Sequence, residues 1–158
     1  MIQRIQSLYF LIASLLLCFL SFAPIYKAES EDFSYSIFLG GLCETELPNG
    51  EPVVLVSQPG LIAVNLIIAA LCFASIFLFK NRKLQKRLSS SLMISTAAFV
   101  ILLSASSAEL MKSVPAGNVE GSLSWGLVMP ALAIVFLLLA NRGINKDEEL
   151  IKSADRLR

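Results

Sequence analysis

The chain has 158 residues, 56% of them apolar and only 16% charged, with a mean hydropathy of +0.72 and a formal net charge of +1. A soluble globular domain carries about 25% charged residues, so this balance does not fit one. Near-zero charge supplies no basic field for nucleic acid, and the lack of any histidine removes His-based metal, haem and triad chemistry.

The first element is an apolar run from Leu8 to Ala23, preceded by Arg4. A helix rises about 1.5 Å per residue and a bilayer core is about 30 Å thick, so a span needs roughly 17–25 residues. Ile25 and Tyr26 complete the run, giving a span over 8–26. Ser21 and Ala23 imitate a signal-peptide cleavage site, but Pro24 would follow the cut, so the helix is expected to be retained.

Residues 27–59 form the one sizeable polar segment between apolar runs. Phe33, Tyr35, Ile37 and Leu39 alternate with Ser34, Ser36 and Phe38, an imperfect period of two that predicts a strand. Gly40-Gly41 breaks it, Pro48-Asn49-Gly50 is a turn signal, and Val53-Val54-Leu55-Val56 is a β-branched return. A small β-hairpin or three-stranded meander packed on the helix ends is the expectation. Such an acidic, partly apolar loop offers a docking surface for a partner, although a solvated cap is the more ordinary reading.

The second span, 60–79, has ideal length, and Ala70 and Ala74 set small residues four apart on it. The following segment, 80–90, carries Lys80, Arg82, Lys83, Lys86 and Arg87 with no acid. Its plain role is to fix topology; its sharper one is to hold anionic lipid head groups. The third span, 91–111, is interrupted by Ser95, Thr96, Ser104, Ser106 and Ser107, and Glu109 near its end is expected to pair with Lys112. Ser91 and Ser95 repeat the small-residue spacing that lets helices approach closely. The fourth span, 123–140, has Trp125 as an interface anchor and Pro130 as an expected kink. In the tail, 141–158, Asn145 caps a short amphipathic helix striped by Leu150, Ile151, Ala154 and Leu157.

Eleven of the thirteen basic residues then fall on one side, Lys27 and Lys112 being the exceptions. The other side collects Glu29, Glu31, Asp32, Glu44, Glu46, Glu51 and Glu120. An even span count and the positive-inside rule give both termini inside. The expected fold is an all-α membrane protein: one domain over 1–158, a four-transmembrane-helix bundle with a small extracytoplasmic loop and a C-terminal amphipathic helix. Cys18 and Cys72 lie in apolar runs and Cys43 alone in the polar loop, so no loop disulfide is available.

The opening Met1-Ile2-Gln3-Arg4-Ile5-Gln6-Ser7-Leu8-Tyr9 and the closing Ser153-Ala154-Asp155-Arg156-Leu157-Arg158 resemble the ends of an uncharacterised family, domain of unknown function 4293. The resemblance implies four-span inner-membrane proteins of the Bacteroidota and brings no catalytic residue or cofactor with it. No paired acid and base, CxxC motif or carboxylate in the central parts of the spans points to an enzyme or to a proton-coupled transporter. The expected role is a non-enzymatic accessory or scaffold protein in contact with membrane lipids and with another membrane protein, with no cofactor. The alternative is a carrier or channel for a small or lipid-like solute, which would require a central cavity lined by Ser95, Thr96 and Ser104. Oligomeric state stays open.

Overall fold

A computed structural model describes residues 2–29, 33–47, 50–112, 114 and 121–156. The elements in chain order are α1 (Ile2–Leu20), β1 (Tyr26–Glu29), β2 (Phe33–Phe38), β3 (Gly41–Glu46), β4 (Val53–Ser57), α2 (Pro59–Ser75), α3 (Arg82–Lys112), β5 (Gly121–Leu123) and α4 (Val128–Arg156). Short 3-10 turns, Phe77–Lys80 and Trp125–Leu127, follow α2 and precede α4.

The four helices alternate in direction. Side-chain contacts set their alignment: Ser14 of α1 donates to the Ala69 carbonyl of α2, and Gln6 of α1 donates to Asp147 of α4 at 2.7 Å. The interior is a continuous apolar cluster that includes Phe10, Leu17, Leu20, Ile68, Leu92, Phe99, Leu103, Leu137 and Ile144. Small residues allow the close approach, with Ala13, Ala69, Ala133 and Ala140 almost wholly buried.

The strands form one antiparallel sheet in the order β4-β3-β2-β1-β5, at the end of the helices where α1 and α3 finish and α2 and α4 begin. Tyr35 and Ile37 alternate inward on β2 and pack with Ala28, Leu42 and Leu110, so the last turns of α3 fasten the sheet to the helical layer. The β2–β3 hairpin turns through Leu39-Gly40 into Gly41, whose φ is +137°. A Cβ there would lie 1.9 Å from the Val56 carbonyl oxygen, so both conformation and space demand glycine. At the other junction space alone demands glycine at Gly126: its N–H donates to the Pro24 carbonyl, and a Cβ would come within 2.4 Å of that oxygen.

This architecture overturns the all-α expectation. The chain is α+β, and instead of a hairpin or three-stranded meander in 27–59 there is a five-stranded sheet, with β1 starting at Tyr26 and the fifth strand, β5, overlapping the expected fourth span only at Leu123. Three residues, Gly121-Ser122-Leu123, are too short for alternation to register, and pairing with β1 decides their state. Nor, among the described residues, are there four helices of spanning length. Only Leu84–Lys112 and Trp125–Asp147 are long and apolar enough to cross a membrane by length and composition, while Ile5–Leu20 and Pro59–Ser75 fall short. The apolar run 61–79 loses helical length because α2 stops at Ser75 and tightens into the turn Phe77–Lys80.

Three local expectations also change. Pro130 sits in the first turn of α4, where its missing N–H costs nothing, and the helix runs on past it. Asn145 caps no helix, because α4 continues unbroken from Val128 to Arg156. Glu109 and Lys112 stand exposed and, among the described residues, form no ion pair. Pro48 and Asn49 of the expected turn and Leu157 of the tail stripe lie outside the described residues, as do the side chains of Leu150, Ile151 and Ala154.

Candidate functional site

The basic residues singled out from sequence do not occupy a loop. Lys80 ends the 3-10 turn, while Arg82, Lys83, Lys86 and Arg87 fall in the first two turns of α3, whose first turn holds no acid. Arg87 is exposed and Lys86 half-buried. This end of the helical layer is opposite the sheet.

The small residues separate. Ser91, Ser95 and Ala70 are exposed and Ala74 is half-buried. The inward face of α2 is instead Asn65, Ile68, Ala69, Cys72 and Ser75. Ser95 lines an open apolar groove of about 480 Å³ between α2 and α3, together with Val64, Ile67, Leu71, Ala98 and Leu102. Thr96 is buried and donates to the Leu92 carbonyl one turn back. Ser104 borders a different cavity, about 310 Å³, between α3 and the sheet junction at Ile25, Tyr26 and Leu123. Ser95, Thr96 and Ser104 therefore face three different surroundings.

The polar groups that sequence reading passed over are amides. Asn65 is completely buried in the middle of an apolar run. Its Nδ2 donates to the Leu17 carbonyl at 2.7 Å and to Ser21 Oγ at 3.2 Å, satisfying an acceptor that the C-terminal end of α1 leaves open. Its Oδ1 is buried without a partner. At the sheet-distal end Gln85 Nε2 donates to the Ser75 carbonyl at 3.2 Å, tying α3 to the place where α2 stops. The clue was available: an amide inside an apolar span must find a partner or lose about 1–3 kcal/mol. All of these groups are neutral, and serine hydroxyls such as Ser107 Oγ satisfy themselves on their own helix. Among the described residues no group of His, Cys, Asp or Glu could hold a metal.

The sheet has chemistry of another kind. Tyr35 and Glu44 face each other across β2 and β3, and the Tyr35 hydroxyl donates to Glu44 Oε1 at 2.9 Å. Burial pushes the Tyr35 hydroxyl above its ordinary pKa, and the hydrogen bond and charge of Glu44 push it further. Burial likewise raises the half-buried Cys43 thiol. At the edge of the sheet, among the described residues, β4 pairs only with β3, and Val53, Val54 and Leu55 are exposed on it.

A family described as domain of unknown function (DUF4293) matches residues 2–157. The chain belongs to that family. The match runs across the helices and strands alike, so the sheet is part of the family's unit and not an insertion. No curated protein matches the chain.

Proposed function

We propose that the chain is a multi-pass protein of the bacterial inner membrane, with both termini inside, that acts as a non-enzymatic accessory subunit through its sheet. The membrane setting is supported by what faces outward from the helices. Phe19, Ile67, Phe73, Ile94, Ile101 and Val135 are all exposed, and soluble monomers rarely show such continuous apolar surface. The uncharged stretch 88–108 of α3 is about 30 Å long at 1.5 Å per residue, matching the hydrocarbon core. In this reading the basic end of α3 lies inside, with Arg142 and Lys146 of α4, and the sheet stands outside with Glu29, Glu44, Glu46 and Glu51.

The accessory role is carried by one observation, the uncovered β4 edge. A strand edge with exposed Val53, Val54 and Leu55 is a template for pairing with another chain, and proteins that do not use such an edge usually blunt it with charge or proline inside the strand. The carrier alternative draws little from the helical layer, since its hydroxyls do not converge and its interior is apolar.

Site-specific photo-crosslinking at Val54 in living cells tests the role. The same partner should be trapped reproducibly from Val54, and not from exposed Ile94 on the lipid-facing side. Crosslinks to lipid or to nothing at both sites would defeat the accessory reading.

A further inference from the structure

We infer that the groove between α2 and α3 holds an acyl chain of an anionic phospholipid, its head group at the basic start of α3. The inference deepens the membrane reading and rests on it. Two independent features meet at this place.

The first is shape. Along α3 the wall of the groove is built from Leu92, Ser95, Ala98, Phe99 and Leu102, and along α2 chiefly from Val64, Ile67 and Leu71. Ser95 and Ala98 are too small to fill the space that a leucine would occupy, and an open channel of about 480 Å³ lies between the helices. In hydrocarbon, an apolar depression of this size is occupied by lipid tails, because a void loses dispersion contacts. Shape alone gives no preference among lipids, since every tail is equally apolar.

The second is charge, and it supplies the preference. The lining of the groove reaches Leu92, and toward the sheet-distal end Arg82, Lys83, Lys86 and Arg87 precede it in the first two turns of α3, with Lys80 in the turn before the helix. No acid occupies that first turn, so the N–H groups and positive dipole end of a 31-residue helix add to the cations. The acids at the same end, Asp147, Glu148, Glu149 and Asp155, belong to α4, which also carries Arg142, Lys146, Lys152 and Arg156, and Asp147 accepts a bond from Gln6. A phosphate with a net negative charge is the head group that fits, and a zwitterionic one gains much less.

Native mass spectrometry of the full chain tests this, after exchange into nanodiscs of palmitoyl-oleoyl phosphatidylglycerol and phosphatidylcholine mixed in equal amounts. The expected result is one retained lipid per chain, with phosphatidylglycerol preferred about tenfold or more. Lys83→Gln with Arg87→Gln should erase that preference at roughly fivefold per charge while a lipid is still retained. Ser95→Phe and, separately, Ala98→Phe should lower retention of both lipids, with unchanged helicity showing that the fold survives. Equal retention of the two lipids by the unaltered chain, or full phosphatidylglycerol retention in both groove-filling variants, would overturn the proposal. So would a chain dimer that the groove-filling variants abolish, since a second copy would then be the occupant. Alkaline carbonate extraction separates this from the reading beneath it: a chain washed off membranes defeats the membrane setting, whereas one that stays put yet binds no lipid defeats only the groove site.

Discussion

The helical layer and the sheet use opposite rules for polar groups. Among the helices, several polar side chains are buried and bond to the backbone of a neighbouring helix: Ser14 to Ala69, Asn65 to Leu17, Gln85 to Ser75. Their outer surface is apolar. In the sheet Ile37 and Leu42 lie beside Leu110 on the core side, Glu44 meets the Tyr35 hydroxyl on that same face, and Ser34 and Ser36 alternate onto the other. A surface that is oily outside and amide-lined within suits lipid; one with alternating faces suits water on one side. In the membrane setting proposed above, the two regions are one molecule in two solvents.

The sharpest way to break that comparison is at the hinge of the sheet. Gly41→Val forces a side chain into a left-handed backbone position and against the Val56 carbonyl, and should cost at least about 3 kcal/mol. Limited proteolysis should then cut within 33–57 while circular dichroism retains the helical signal. Equal loss of both would mean that the regions fold as one cooperative unit. Next comes Leu137→Ala in the helical core, expected to cost about 2–5 kcal/mol in a denaturant titration, with little effect on proteolysis of the sheet.

Much of the helical layer was legible. Long apolar runs separated by charge locate the four helices, because hydropathy is a one-dimensional signal. What composition could not show was where a run stops being α-helix, as at Ser75, since that depends on Gln85 reaching across from another helix. The sheet was half legible. Alternation around Tyr35 and the Gly40-Gly41 break were visible, but β5 exists only through its pairing with Tyr26–Ala28, a contact nearly a hundred residues away in sequence. Small residues at a spacing of four named Ala70 and Ala74, whereas burial chose Ala69, because periodicity cannot say which face turns inward.

Smaller effects sharpen the contrast. Asn65→Ala should destabilise the helical layer by about 0.6–1.7 kcal/mol, the range for hydrogen bonds between membrane helices; a larger loss would show a tighter role for its amide. Smallest is the Tyr35 term. Its pKa is raised in the folded chain, so the unfolded chain gives up that proton first, and stability should fall as pH rises above the ordinary tyrosine value of about 10. Tyr35→Phe should flatten that alkaline slope in a pH series of sheet unfolding while costing about 1 kcal/mol near neutrality.

The account depends on lipid around the helices and on the sheet lying outside the cell membrane. Cys43 is a poor reporter of this, because it is half-buried and its thiol is held protonated. Exposed Glu51, between β3 and β4, is a better position. A Glu51→Cys chain carrying Cys43→Ala should react with a membrane-impermeant maleimide in intact spheroplasts. Reaction only after lysis would place the sheet inside and contradict the orientation on which the account stands.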